Sequence, residues 1–165
     1  MKVFGIVGWK NNGKTGLMER LVGEITARGL AVSTIKHAHH RFDVDLRGKD
    51  SYRHREAGAH EVLLASRHRF ALMHELRDQA EPNLGDLLAR LAPVDLVLIE
   101  GYKRDHHAKI EAHRTATGQP LIAREDPTVV AVASDIAIDD LDRPVFSLDD
   151  TDAIASFVLA QTGLG

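Results

Sequence analysis

The chain has 165 residues, 44% of them apolar and 27% charged, which is typical of one soluble globular domain spanning residues 1–165. No apolar run approaches the roughly 20 residues that cross a bilayer, and the absence of cysteine excludes disulfides and thiolate metal sites and favours a cytoplasmic location. The formal charge of −3 argues neither for nor against nucleic-acid binding, but the sequence has no basic stripe with interleaved aromatic residues, so nucleic acid is not an expected partner.

The first predicted strand, residues 3–7, leads into a glycine-rich loop. Residues 8–15 read Gly-Trp-Lys-Asn-Asn-Gly-Lys-Thr, which matches the pattern GxxxxGK[ST], and apolar residues at helical spacing follow. Strand, loop and helix in this order predict a P-loop, whose backbone N–H groups and helix N-terminus bind phosphate. Lys14 would reach the β- and γ-phosphates and Thr15 would bind Mg²⁺. The predicted phosphate-binding residues are Asn11, Asn12, Gly13, Lys14, Thr15 and Gly16.

A polar segment follows the second predicted strand. Residues 14–28 are predicted as the P-loop helix and residues 30–36 as the strand, whereas residues 36–51 lack an apolar period and are dense in ionisable groups. Ligands of doubly wound sheets bind outside the carboxyl ends of the strands, so we expect this segment on the same rim as the P-loop. Asp43 and Asp45 would point the same way in an extended chain. Asp45 could complete a Mg²⁺ shell or hold an attacking water, or it could be an ordinary turn residue.

A short helix, a hairpin and another helix are predicted next. The short helix begins at Asp50 or Ser51, either of which would cap it. Residues 61–66 and 70–73 are candidate strands joined by a short polar link, which favours a hairpin. Residues 84–91 form a helix with leucines on one face.

Residues 95–101 form a nearly unbroken apolar run that closes on an acid. Such a run is typical of a central parallel strand that is buried on both faces. Glu100 stands at its carboxyl end, where a Walker B acid coordinates Mg²⁺ or orients the attacking water. We therefore predict Glu100 and Asp45 as catalytic residues, and Thr15, Glu100 and Asp45 as Mg²⁺ ligands.

The remaining elements complete the predicted sheet. Residues 109–114, 128–133 and 144–146 are candidate strands, and a capped helix runs from about residue 150 to 161. Asp135 follows the second of these strands and could accept the N1–H and N2–H₂ groups of guanine. The guanine-reading signature N-K-x-D is absent, however, and a simple turn explains this aspartate as well.

The alternation of strands and helices predicts the fold class. We expect an α/β, three-layer P-loop NTPase fold with a mostly parallel central sheet, helices on both faces and an added hairpin. Neither an internal repeat nor a linker interrupts the chain, which agrees with one nucleotide-binding domain.

Several segments besides the P-loop give the chain a more particular likeness. They are Lys36-His37-Ala38-His39-His40, Asp43-Val44-Asp45, Gly48-Lys49-Asp50-Ser51 and Ile99-Glu100-Gly101-Tyr102-Lys103. In this order, and over nearly its whole length, the chain resembles the MobB family of molybdopterin guanine dinucleotide biosynthesis adapters. Arg47 departs from the pattern, because proline is expected before Gly48, and this bears on the rigidity of the loop.

The resemblance implies a homodimeric GTP-binding adapter that has weak GTPase activity and uses GTP and Mg²⁺. It would assist the molybdopterin guanylyltransferase, which joins GMP to molybdopterin, and could contact molybdopterin itself. A loop for the pterin phosphate or for a partner surface would contain Lys36, His37, His39, Lys49 and Asp50. The same histidines, with His40, could instead bind a transition metal or be an ordinary surface feature.

Two other functions compete with the adapter. The first is a P-loop small-molecule kinase that passes the γ-phosphate to an acceptor held by the polar segment. The second is a metal-insertion GTPase with the histidine-rich loop as its cargo site, although the lack of cysteine weighs against it. Slow hydrolysis is expected because no glutamine stands at an evident water-positioning place, and Arg41, Arg47 or Arg104 could supply a missing charge.

Overall fold

A computed structural model describes residues 1–38 and 42–165 of the chain and shows two compact units. The first unit consists of Met1–His37 and Leu91–Gly165, and the second of Ala38–Arg90. That the whole chain folds as one domain stays a prediction.

In chain order the elements are β1 (Lys2–Val7), α1 (Lys14–Ala27), β2 (Val32–Lys36), α2 (Asp50–Glu56), β3 (Glu61–Ala65), β4 (Phe70–His74), α3 (Leu84–Leu88), β5 (Leu96–Glu100), β6 (Lys109–His113), β7 (Val129–Ser134), β8 (Val145–Ser147) and α4 (Thr151–Thr162), with 3₁₀ helices at Thr115–Thr117 and Ile122–Arg124.

The first unit is built on a six-stranded parallel sheet. Its strand order is β2-β5-β1-β6-β7-β8, and each pair of neighbours runs parallel. The strand β1 is central because it pairs with β5 on one side and β6 on the other. The apolar run of β5 is buried along its whole length, as a strand covered on both faces requires. The predicted α/β fold class is confirmed.

The main core of the first unit lies between the sheet and the helices α1 and α4. Side chains alternate along a strand, so Ile6 faces this core and Val7 faces the opposite side of the sheet. Truncating a fully buried core residue such as Phe4 to alanine typically costs about 3–5 kcal/mol. The main cluster includes Phe4, Ile6, Leu17, Leu21, Leu98, Ile154 and Val158. The opposite face is covered by the 3₁₀ helix at Ile122–Arg124, and its cluster contains Val7, Ala123, Val129 and Val132.

The ends of the helices follow local chemistry. Asp150 caps α4 by accepting a hydrogen bond from the Ala153 N–H at 3.1 Å, as one of the predicted caps. The prediction that Asp50 or Ser51 caps α2 is wrong, because Lys49 occupies the cap position without a side-chain bond and Asp50 is the first helical residue. The carboxylate of Asp50 therefore contributes a negative charge to the first turn, where the helix dipole favours it.

The second unit contains α2, the hairpin of β3 and β4, and α3. The predicted hairpin is confirmed as an antiparallel pair in which Leu63 stands opposite Leu72. The helix α3 ends at Leu88, earlier than the predicted residue 91, and begins in a capping box formed by Asn83 and Asp86. None of the helices in the described ranges, 1–38 and 42–165, is both long and apolar enough to span a membrane.

Candidate functional site

The predicted phosphate loop connects the end of β1 to the start of α1. Gly8 has a φ of 145°, and a Cβ at this position would overlap the carbonyl oxygen of Ala112. Gly13 has a φ of 90° and is followed directly by the first turn of α1. Only glycine adopts these backbone conformations without strain, so the two glycines of the motif are required by the path of the chain. The backbone N–H groups at the start of α1 consequently remain available to an anion.

Lys14 lies folded over this loop. Its Nζ donates a hydrogen bond to the carbonyl oxygen of Trp9 at 2.7 Å. Burial lowers the pKa of Lys14, the nearby charges of Lys103 and Lys36 lower it further, and Glu100 opposes them. The charged neighbours of Lys14 are thus two lysines and one carboxylate, which gives the loop a positive potential suited to a polyanion.

The structure brings the two predicted Mg²⁺ ligands of the first unit together. Strand pairing places Ile6 beside Glu100, so the acid lies at the end of β5 next to the strand that enters the loop. The hydroxyl of Thr15 donates to Oε1 of Glu100 at 3.4 Å, and Lys36 Nζ lies 3.4 Å from the same oxygen. Glu100 is 8% exposed. A hydroxyl and a carboxylate at one point fit Mg²⁺, which takes oxygen ligands and keeps several waters or phosphate oxygens.

A sharp turn after β5 positions two aromatic rings. Gly101 has a φ of 101° and Tyr102 a φ of 49°, so two successive residues are left-handed. The ring of Tyr102 lies 4.6 Å from that of His37, and the His37 N–H donates to the carbonyl oxygen of Glu100 at 2.9 Å. The predicted loop residues Lys36 and His37 therefore lie at the strand end that carries Glu100.

Lys103 is a cation of this site that sequence reasoning did not single out. Its Nζ lies 4.0 Å from the centroid of the Trp9 ring, within the range of a cation–π contact. The indole N–H of Trp9 donates to the carbonyl oxygen of Pro120 at 2.7 Å, which anchors the ring. The position of Lys103, three residues after Glu100 in the run Ile-Glu-Gly-Tyr-Lys, was the only signal available in the sequence.

Asp135, predicted to read guanine, lies at the end of β7. Its Oδ1 accepts two hydrogen bonds from Thr115, one from the backbone N–H and one from the hydroxyl, each at 3.0 Å. These bonds lower the pKa of Asp135 and fix the start of the 3₁₀ helix at Thr115–Thr117. This geometry matches the alternative in which Asp135 is an ordinary turn residue. Recognition of guanine by Asp135 stays a prediction.

Asp45 belongs to the second unit, where it is part of an ion cluster. The guanidinium of Arg55 donates to Asp45 Oδ1 at 2.6 Å and to Oδ2 at 3.2 Å, and the Asp45 side chain is 3% exposed. The same guanidinium reaches Asp43 at 2.9 Å and Glu75 at 2.8 Å. Arg55 lowers the pKa of Asp45, and the three carboxylates raise the pKa of Arg55. The predicted catalytic and Mg²⁺ roles of Asp45 stay predictions.

The other predicted loop residues divide between exposed positions and residues that are not described. Lys49 and Asp50 are exposed at the start of α2. His39, His40 and Arg41 lie outside the described residues. Within residues 1–38 and 42–165, no group of three or more histidine or acidic side chains is arranged to hold a metal ion.

The strand β6 buries charges that the sequence did not reveal. Glu111 is fully buried and accepts hydrogen bonds from the N–H groups of Ile122 at 3.0 Å and Ala123 at 2.8 Å, and its burial raises its pKa. Lys109 is also fully buried and donates to the carbonyl oxygens of Asp105 and His107. These side chains hold the loops around the sheet, so their role is structural.

A parallel sheet whose central strand opens into a glycine loop, with Thr15 and Glu100 in contact, defines a P-loop protein. The sequence model for "Molybdopterin guanine dinucleotide synthesis protein B", MobB, matches residues 3–135. The chain belongs to the MobB family.

Curated relatives and solved structures agree with this assignment. The chain is 39% identical to a molybdopterin-guanine dinucleotide biosynthesis adapter protein of Escherichia coli, over 95% of this chain and 91% of the relative. It is 40% identical to the adapter protein of Haemophilus influenzae, over 94% and 86%. A MobB homologue from Bacillus stearothermophilus shares its fold with a TM-score of 0.72 and 29% identity, over the full length of both chains. Bacillus subtilis MobB gives 0.75 and 25%, over 98% of each.

Proposed function

We propose that this protein is a cytoplasmic, homodimeric, GTP-binding adapter with weak GTPase activity that assists the synthesis of molybdopterin guanine dinucleotide. The contact between Thr15 and Glu100 beside the phosphate loop carries the nucleotide part of the proposal. The names of the related proteins support the adapter part. The partners would be the molybdopterin guanylyltransferase and molybdopterin itself.

The loop would hold the phosphate chain through the backbone N–H groups from Asn11 to Gly16, among which that of Asn12 donates to the carbonyl oxygen of Trp9 at 3.3 Å and would have to exchange this partner. The ammonium group of Lys14 would exchange the Trp9 carbonyl, its partner at 2.7 Å, for the β- and γ-phosphates. Thr15 and Glu100 would hold Mg²⁺, which neutralises charge on the phosphate oxygens when bound. The predicted roles of Asp45 in binding Mg²⁺ or an attacking water would compete with its bonds to Arg55.

Asp135 is suited to read guanine in spite of its bonds to Thr115. Both of those bonds end on Oδ1, and Oδ2 accepts none from the described part of the chain. One carboxylate oxygen therefore stays available to the N1–H and N2–H₂ donors of guanine. The hydrogen bonds from Thr115 lower the pKa of Asp135, and an ionised carboxylate accepts hydrogen bonds on both of its oxygens.

The hairpin of the second unit supports the homodimer. One face of it carries Leu63, Phe70 and Leu72, which are 61%, 75% and 52% exposed. Leu63 and Leu72 are directly opposite each other and Phe70 is on the same face, so the three form one apolar surface. A second copy of the chain would cover this surface and remove it from water. The segment with Lys36, His37, His39, Lys49 and Asp50 would contact pterin phosphate or the guanylyltransferase.

A reconstituted synthesis of the dinucleotide tests the proposal. Omitting GTP would be uninformative, because the guanylyltransferase itself needs a guanine nucleotide. The variant Lys14→Ala instead removes nucleotide binding from the adapter alone. We expect the wild-type protein to stimulate dinucleotide formation and Lys14→Ala to stimulate it at least tenfold less. Equal stimulation by both proteins would contradict a nucleotide-dependent adapter. Stoichiometric transfer of the γ-phosphate to a small acceptor would identify a kinase instead.

A further inference from the structure

Arg114 follows β6 directly, and its guanidinium lies on the phosphate loop. Because β6 pairs in parallel with β1, the residue after β6 arrives beside the loop that leaves β1. A Cβ on Gly13 would lie 3.1 Å from Nε of Arg114 and 3.6 Å from its Nη2. The arginine thus contacts the glycine that precedes Lys14.

One hydroxyl links the backbone of Arg114 to the loop. The Thr117 hydroxyl lies 2.7 Å from Oδ1 of Asn12 and 2.8 Å from the carbonyl oxygen of Arg114, and its single proton is shared between these two acceptors. Asn12 is fully buried, so the Thr117 hydroxyl contacts a well-packed part of the phosphate loop. Asp135 holds the adjacent Thr115 from the other side. The position of Arg114 is therefore set by the same elements that shape the loop.

The Arg114 guanidinium has no acidic partner within the residues that the structure describes. Two arginines of the same unit do have acidic partners: Arg28 pairs with Glu24 and Asp152, and Arg124 pairs with Asp140. An unpaired guanidinium over an anion-binding loop retains its hydrogen-bonding capacity for a ligand.

The surroundings of Arg114 are cationic and open. With Lys10 and Trp9 it borders a cleft of about 490 Å³, whose other lining residues are Asn11, Ala116, Thr117 and Gln119. None of the described residues that line the cleft is acidic. An approaching polyphosphate would meet positive charge and amide donors, without an acid to repel it.

We infer that Arg114 is a phosphate-binding residue of the nucleotide site, which donates from the end of β6 to the phosphate chain held by the loop. The inference rests on the proposed binding of GTP and adds to it an arginine supplied by the chain itself. Such an arginine forms charge-assisted, often bidentate bonds to phosphate oxygens, which lysine reproduces only in part.

Calorimetric titration with GTP and with inorganic tripolyphosphate, both with Mg²⁺, tests the inference. Since Arg114 is exposed and has no described partner, Arg114→Ala leaves no buried group unpaired and is expected to fold normally. We expect its affinity to fall about tenfold or more for both ligands, and Arg114→Lys to recover part of the loss. The control Arg124→Ala, at an exposed arginine of the same unit, is expected to bind like the wild type.

Two results would overturn the role of Arg114. One is wild-type affinity of Arg114→Ala for both ligands, and the other is a loss confined to GTP, which would place the contact on the base or sugar. Lys14→Ala in the same series separates this inference from the proposed function. If Lys14→Ala abolishes binding while Arg114→Ala does not affect it, only the present inference fails; if Lys14→Ala binds normally, the phosphate loop itself is not the site.

Discussion

The two units of the chain use their side chains in opposite ways. In the first unit, apolar side chains such as Phe4 and Leu98 are fully buried, and Glu100 stands at the carboxyl end of its strand. In the described part of the second unit, Ser51 and Val62 are the only residues that are buried when backbone and side chain are counted together, and large apolar side chains of the hairpin are exposed. A two-stranded hairpin is marginally stable without further packing. The first unit therefore combines a buried core with the phosphate-loop motif, whereas the second leaves apolar side chains exposed to solvent.

The largest effect is expected from Glu100→Gln in the first unit, which keeps the shape of the side chain and removes its charge. If Glu100 holds Mg²⁺, the gain in GTP affinity that Mg²⁺ gives over EDTA should fall by roughly 10- to 100-fold. Titration calorimetry in the two buffers measures this ratio. Glu125→Gln, at an exposed glutamate of the same unit, is the control. An unchanged ratio in Glu100→Gln would remove this residue from the Mg²⁺ site.

The second prediction sharpens the role of the hairpin. Leu63→Glu combined with Phe70→Lys puts charges on the exposed apolar face without placing like charges together. We expect the dissociation constant of the homodimer to rise about 100-fold, because apolar anchors at an interface commonly contribute 2 kcal/mol or more. Sedimentation velocity measures it, with Ile136→Glu in the first unit as the control. A wild-type monomer, or a double variant as dimeric as the wild type, would contradict the proposed interface.

The third prediction concerns the ion cluster that organises the second unit. Arg55→Met leaves Asp45 without its main partner, so hydrogen exchange of the α2 amides should become faster while those of β1 and β5 stay protected. Arg53→Met, at an exposed position of the same helix, is the control. Equal protection of α2 in the wild type and in Arg55→Met would show that the cluster does not support the unit.

The pH dependence of the cluster has a definite sign. Arg55 lowers the pKa of Asp45 in the folded state below its usual value, so the stabilisation is present above about pH 4. It is lost as the pH falls through the lower folded pKa. The difference in α2 protection between the wild type and Arg55→Met should consequently shrink in acid.

The smallest effect is expected at His107 in the first unit. Its two ring nitrogens are buried without a described hydrogen-bond partner, and burial lowers its pKa. A lowered histidine pKa means that the unfolded chain binds the proton more tightly, so stability should fall as the pH drops below about 6.5. Urea unfolding at pH 7.5 and 5.5 measures this slope. His107→Phe should reduce the slope and the exposed His106→Phe should not, and equal slopes would contradict the assignment.

Much of the first unit could be predicted from sequence because its signals are local. The strand β1, the glycine loop and α1 follow one another within 27 residues, and β5 is a continuous apolar run that ends on Glu100. Periodicity and turn chemistry suffice for such elements. The contact between Thr15 and Glu100 then follows from the parallel pairing of β1 and β5.

What could not be predicted depends on contacts between distant residues. Lys109 and Glu111 read as a polar strand, yet both are fully buried. Carbonyl oxygens of the preceding loop satisfy Lys109, and N–H groups of the later 3₁₀ helix satisfy Glu111. The pairing of Asp45 with Arg55 likewise has no periodic signal, and Arg114 has no motif of its own. Charged residues on strands and loops acquire their roles from the packing, which the local sequence does not encode.

The most direct test of the nucleotide site is calorimetric titration of the purified protein with GTP and Mg²⁺, comparing the wild type with Lys14→Ala and with Lys10→Ala as a control in the same loop. We predict one GTP per wild-type chain, binding at least 100-fold weaker in Lys14→Ala, and a smaller change in Lys10→Ala. Equal GTP affinity in the wild type and in Lys14→Ala would contradict the assignment of the phosphate loop as the nucleotide site.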